Sequence, residues 1–175
     1  MGGVLQTRKE GQQQGIRLTV GTEDWMRIRK IAPGEAPPMA LLLLADPSEE
    51  TVASYLDTAE CFIAEADDAV VGTYVTGKIS EDRAEVFNIA VAEAWQGRGI
   101  GRMLLQDAID RHRAKGCREL HIGTGNSSIG QLALYQKCGF RIDGVIKDFF
   151  TDNYEGKIHE NGIWCRDMIR LVKVL

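Results

Sequence analysis

The sequence predicts an α/β (α+β) protein, a mixed sheet with helices on its faces. Residues 16–175 are expected to form a single domain behind a flexible N-terminal arm, residues 1–15. Three observations carry this. Short apolar runs divided by turn residues fill the middle of the chain. Strand and helix patterns then alternate to the C-terminus, which puts helices against a sheet. A length of 175 residues, 44% hydrophobic and 26% charged, suits one core of ordinary globular composition.

The elements follow in order. Ile16 to Val20 alternates apolar and polar residues, which fits a first strand. Thr22 is placed to cap a short helix through Trp25, Met26 and Ile28 that ends before Pro33. A second short helix follows Pro38. The next is signalled by Asp46 as cap, Pro47 in the first helical position and Glu49 three residues after Asp46, and runs to about Asp57. Cys61–Ala66 and Ala69–Gly77 flank Asp67-Asp68 as a hairpin, Ile79–Arg83 turns, and Ala84–Val91 is a third strand. After the glycine-rich Gln96–Gly101, a helix runs to about Lys115, with Leu104, Leu105, Ala108 and Ile109 on one face and Gly116 as its stop. Leu120–Gly123 is a short strand and Ile129–Cys138 a second amphipathic helix. Phe140–Phe150 and Ile163–Val174 read as long strands joined by a polar loop, Thr151–Gly162.

Composition excludes several classes of function. The longest apolar run, Met39–Ala45, is far short of the roughly 20 residues a transmembrane helix needs. A net charge of −4 has the wrong sign for a partner of nucleic-acid phosphates or anionic membranes, so neither partner is expected. Cys61, Cys117, Cys138 and Cys165 form no CxxC pair, and His112, His121 and His159 show no ligand spacing with them, so no metal site is expected. The thiols read as buried residues of a reducing compartment. Met1–Gly15 lacks the apolar core of a signal peptide, and Gln6 stands where a myristoylation start needs Ser or Thr, so a cytoplasmic protein is expected.

The most informative segment is Gln96-Gly97-Arg98-Gly99-Ile100-Gly101, between a strand and a helix. Alternate glycines let backbone approach a ligand and turn successive N–H groups into one concavity. The helix start adds free N–H groups and its positive dipole end, which together seat a phosphate or pyrophosphate. Arg98 and Arg102 can add charge-assisted bonds. A P-loop would need a Lys-Ser/Thr pair, and a dinucleotide fingerprint would need glycine where Leu104 stands, so both fail on spacing.

Gln96-x-x-Gly99-x-Gly101 resembles the [Q/R]-x-x-G-x-[G/A] signature of the GNAT superfamily of acyl-CoA-dependent N-acyltransferases. The flanks Phe87–Val91 and Met103–Leu105 agree with it. A second landmark, Leu134-Tyr135-x-x-x-Gly139-Phe140, is similar to the family's LYxxxGF near the end of the fold. The resemblance implies a mostly antiparallel central sheet in which two neighbouring parallel strands splay apart, with helices on both faces. It also implies acetyl-CoA as co-substrate, its pyrophosphate on the amides of Gly97, Arg98, Gly99, Ile100, Gly101 and Arg102. Gln96 belongs to the same cofactor-binding loop. The backbone of Ile89 and Val91 would pair with the pantetheine arm, leaving one amide to polarise the thioester carbonyl.

The implied reaction is attack of an amine on a thioester. An alkylammonium of pKa near 10.4 lies about three units from its nucleophilic form at pH 7, a cost of roughly 4 kcal/mol, so a proton acceptor is needed. The departing thiolate benefits from an acid. Tyr135 occupies the family's acid position. Glu85, eleven residues before Gln96, stands where some members carry a carboxylate acting through water. Asn88 could orient a water or the amine, and Asp148, Glu155, His159 and Glu160 are further proton acceptors near the last loop. The family often places Asn seven residues before the Tyr; Ser128 stands there, with Asn126 two residues earlier, and either can contact the pantetheine. Ser128 could equally be only a helix cap.

The expected function is acetyl transfer to a primary amine of a small molecule or peptide by direct attack in a ternary complex, from a protein that could be a homodimer. The alternative is a non-catalytic acyl-CoA-binding or regulatory module. A phosphate-binding module for a nucleotide is a third reading.

Overall fold

A computed structural model describes residues 16–17 and 25–175 of the chain. The N-terminal arm, the cap Thr22 and most of the first expected strand lie outside the described residues.

An eight-stranded sheet has the order β1-β2-β3-β4-β5-β6-β10-β7. Its members are β1 (Ile16–Arg17), β2 (Arg27–Lys30), β3 (Glu60–Ala66), β4 (Ala69–Lys78), β5 (Arg83–Val91), β6 (Glu119–Gly125), β7 (Arg141–Ile146) and β10 (Met168–Val174). A separate two-stranded ribbon pairs β8 (His159–Glu160) with β9 (Ile163–Trp164). Every neighbouring pair is antiparallel except β5 and β6. The helices are α1 (Met39–Ala45), α2 (Glu49–Leu56), α3 (Ile100–Ala114), α4 (Ile129–Lys137) and the short α5 (Phe149–Asn153).

Two hydrophobic clusters lie on opposite faces of the sheet. The larger joins Leu104, Leu105, Ala108 and Ile109 of α3 to Phe62, Tyr74, Val86 and Ile122, and takes in Tyr135 and Phe140. The smaller holds Leu42 of α1 and Val52 of α2 against Cys61 and Val75. The four apolar positions expected on the long helix are all buried. The hairpin at Asp67-Asp68 forms as expected: both residues have positive φ, 50° and 58°, and Ala66 pairs with Ala69 across a two-residue turn.

Three expectations need correction. Residues 27–30, read as part of a helix, form strand β2. Met26 and Ile28 are buried on alternate positions, the period of a strand. Arg29 is held across to Glu65 of β3 at 2.6 Å and to Glu35 at 2.7 Å, so cross-strand charge pairing helps decide the conformation. Ser48 caps α2, accepting from Thr51 N at 3.2 Å, while Asp46 closes the turn before it by accepting from Ser48 N. The two long C-terminal strands are interrupted. Asp148 takes a left-handed backbone, φ 58°, and its N–H donates to Asp167. The chain therefore turns into α5 before the ribbon.

Candidate active site

The pairing of β5 with β6 runs only from Arg83↔Glu119 to Val86↔Ile122. Beyond that the two parallel strands separate. On its other edge β5 stays paired with β4 as far as Val91↔Gly72, and Ala92 N donates to Val71 O. Alternation along an antiparallel strand then turns the N–H and C=O of Ile89 and Val91 away from β4, toward the opening. A cavity of about 590 Å³ fills this gap, lined by Tyr135 of α4 and by Ser128 just before that helix, from β5 by Glu85 and Asn88, and from the α1–α2 junction by Asp46.

The glycine loop lies at the C-terminal end of β5. Gly97 and Gly99 have φ of 75° and 83°, a region that costs other residues about 1–2 kcal/mol. These two reversals bring the chain into α3 at Ile100, with Gly99 as its N-cap residue. The N–H groups of residues 97 to 102 make no hydrogen bond among the described residues; the first amide to find a carbonyl is Met103 N, bonded to Gly99 O. Six consecutive free donors at a helix start form an anion seat. Gln96 steadies the loop by donating its side-chain amide to Val91 O at 3.1 Å. The Arg98 guanidinium lies over the Trp95 ring, and Arg102 is exposed on the first turn of α3.

Tyr135 is 4% exposed and makes no side-chain hydrogen bond among the described residues. Burial raises its hydroxyl above the ordinary phenol value, so it enters the cavity as a neutral donor. Gly139 reverses the chain so that Phe140 N bonds Tyr135 O and the two rings meet at 6.3 Å. Glu85 lines the same cavity with its carboxylate on Arg170 of β10, 2.9 and 3.4 Å from the two guanidinium nitrogens. Arg170 was not singled out from sequence, because its placement opposite Glu85 depends on the partners of β6.

Asn126 and Ser128 both bind the last loop. Asn126 donates to Trp164 O and accepts from the N–H groups of Arg166 and Asp167. Ser128 makes no capping bond and donates to Glu160 at 2.6 Å. Among the other candidates, His159 and Glu160 line the cavity, and Asp148 pairs with Arg166. Sequence reading also missed Asp46 as a cavity residue; its helix-capping pattern gave another explanation for it.

A strand–glycine loop–helix with free amides beside an open strand edge is a geometry that can hold a long phosphorylated co-substrate. Comparison with known proteins agrees. Residues 23–140 match the model of the acetyltransferase (GNAT) family. The chain is 52% identical over 131 residues, 75% of its length and 84% of the relative's, to the uncharacterized N-acetyltransferase YvbK of Bacillus subtilis. It is similar to the crystal structure of a GNAT family acetyltransferase from Elizabethkingia anophelis with acetyl-CoA bound, with TM-score 0.85 and 47% identity, covering 87% of this chain and 100% of that one. An IAA acetyltransferase from Bacillus cereus gives TM-score 0.83 and 48% identity, covering 86% and 99%. The chain belongs to the GNAT acetyltransferase family and is an acyl-CoA-dependent N-acetyltransferase.

Proposed function

We propose that the protein transfers the acetyl group of acetyl-CoA directly to a primary amine within a ternary complex. One observation carries this: a single cavity connects the open edge of β5 with Tyr135 and Glu85. The six free amides of residues 97–102 receive the pyrophosphate, helped by the charges of Arg98 and Arg102. Ile89 and Val91 bond the pantetheine as an added strand, and one of their amides polarises the thioester carbonyl. Ser128 keeps acceptor lone pairs for an amide of the arm while donating to Glu160, and Asn126 has one N–H left.

The amine nitrogen attacks the carbonyl carbon, the C–N bond forms, and the C–S bond breaks. Glu85, oriented by Arg170, takes the amine proton through a water, and Tyr135 donates to the departing sulfur. The acceptor is a small molecule or a peptide amine. All four cysteines are free, which supports the cytoplasm as the place of action, and no helix among the described residues is long and apolar enough to cross a membrane.

Thermal denaturation with acetyl-CoA, CoA, ATP and NAD tests the reading, followed by thiol release over an amine panel. A ligand at one hundred times its Kd adds about 2.7 kcal/mol of stability, so acetyl-CoA and CoA shift the melting temperature by several degrees. Stabilisation by ATP and none by CoA overturns the reading.

A further inference from the structure

Strand β7 is the last strand of the sheet, and its outer edge is open. Among the described residues it pairs only with β10, and no loop backbone bonds residues 141–146. Such an edge is a template for another strand. The register with β10 shifts where Arg170 meets Gly144 and Leu171 meets Ile142, so Asp143 is an extra residue on β7 and the run after it is regular. On that run Val145 is 52% exposed and Ile146 43%.

The sequence of this run is complementary to itself. In an antiparallel pairing about a two-fold axis, one residue stands opposite its own copy, so the possible registers are few. Centred on Val145, the pairing sets Asp143 opposite Lys147 of the partner subunit and Gly144 opposite Ile146 of the partner subunit, each twice by symmetry. Alternation along a strand puts Asp143, Val145 and Lys147 on one face, so two ion pairs flank a valine–valine contact. Neither Asp143 nor Lys147 forms an ion pair among the described residues. On the other face a Cβ added to Gly144 meets no atom within 4 Å, which leaves room for Ile146 of the partner subunit. The neighbouring registers are opposed by charge. Centring on Gly144 sets Arg141 against Lys147, and centring on Asp143 sets two carboxylates face to face; like charges directly opposite destabilise.

We infer that the outer edge of β7 is a self-association surface, on which a second copy of this chain pairs β7 with β7, antiparallel and centred on Val145. The two sheets then run on into one another. Few residues meet, so the dimer is weak and depends on concentration. An unrelated extended segment could satisfy the backbone, but only this chain's own β7 brings the matching charges and the matching Gly144–Ile146 step. Ile146 also lines the co-substrate cavity, so the contact reaches the rim of the active site. The inference is independent of the proposed transfer chemistry.

The test is sedimentation equilibrium of the full chain across the micromolar range, where the mass rises from 19.4 kDa toward twice that value. Asp143→Lys sets lysine against lysine, and Lys147→Asp sets aspartate against aspartate. Each change acts twice by symmetry and weakens association at least about tenfold. An equal mixture of the two variants restores it, because the chain with two lysines then faces the chain with two aspartates. Both positions are exposed, and circular dichroism checks that the variants fold. Where one does not, Val145→Lys, which sets two ammonium groups opposite each other, takes its place and weakens association by a similar factor. An unaltered protein that stays at the mass of one chain overturns the inference. So does a folded single variant that associates as tightly as the unaltered protein, or a mixture of the two charge variants that stays monomeric where the unaltered protein dimerises.

Discussion

Replacing Tyr135 by Phe removes one oxygen from the cavity and makes stability and turnover respond very differently. The hydroxyl has no hydrogen-bond partner among the described residues, and the ring packs against Phe140 whether or not the oxygen is present. Loss of a buried, unpaired hydroxyl is close to neutral for folding or slightly favourable, so the change in stability stays within about 1 kcal/mol. The effect on rate comes from the departing sulfur. A free thiol ionises near 8.5 and a phenol near 10, so full proton transfer from Tyr135 is uphill by roughly 2 kcal/mol before burial is counted. Burial raises the phenol further, and it disfavours a bare thiolate for the same reason. In the proposed role Tyr135 is a strong donor to the sulfur as charge develops, which is commonly worth about 10²–10⁴ in rate. In steady-state thiol-release kinetics with an accepted amine, Tyr135→Phe lowers kcat by about 10²-fold or more. The KM for acetyl-CoA changes little, and the urea midpoint stays near that of the unaltered protein. Turnover within threefold of the unaltered enzyme refutes the role. A tenfold loss of CoA affinity with normal turnover would show that the hydroxyl serves binding instead.

Three other outcomes follow. Glu85→Gln keeps a neutral acceptor near Arg170 and removes the proposed proton-taking group, so kcat falls by about tenfold or more at pH 7 and recovers toward alkaline pH as the free amine becomes abundant; an unchanged rate profile places the proton acceptor elsewhere. Gly99→Ala meets no atom within 4 Å but must hold φ at +83°, costing about 1–2 kcal/mol. Relaxation of that strain re-aims the loop amides, and acetyl-CoA affinity measured by calorimetry falls at least about tenfold; affinity within twofold contradicts the anion seat. His112, 1% exposed, is lowered by burial from 6.5 to about 4. Stability from its neutral form is fully present above pH 6.5 and is lost as pH falls through about 4, an amount of about 3 kcal/mol. Urea titrations at pH 7 and pH 4 show this loss, and His112→Gln flattens it; equal pH dependence in both proteins refutes the assignment.

His112 also connects the core to the candidate site. The Thr76 hydroxyl donates to Glu85 O at 2.6 Å, so its oxygen receives the Nε2 hydrogen of His112 at 2.8 Å. A neutral histidine on α3 thus steadies the backbone of β5 beneath the Glu85 carboxylate.

Much of the molecule was legible because its signals are local. The glycine spacing at 96–101 sets backbone dihedrals within the loop itself, and the apolar stripe of α3 encodes its own buried face. Asp67-Asp68 specifies a tight turn regardless of what surrounds it. Local pattern misled where two local readings competed. Asp46-Pro47-Ser48 contains two capping residues, and the cap went to Ser48 while Asp46 faced the cavity. The stretch around Met26 and Ile28 is too short for its period to be fixed until β3 supplies hydrogen bonds and Glu65 supplies a charge.

The sequence by itself determined the mixed-sheet class, the glycine turn into α3 and the helix that carries Tyr135, since each follows from the geometry of a few consecutive residues. Only the tertiary structure decided that Arg170 engages Glu85, that Asn126 and Ser128 hold the final loop, and that Asp46, Asn88 and Tyr154 meet in one cavity. Asp46 and Tyr154 are 108 residues apart in the chain, and no local preference links them. Their meeting depends on the order of strands in the sheet and on the gap left where β5 parts from β6.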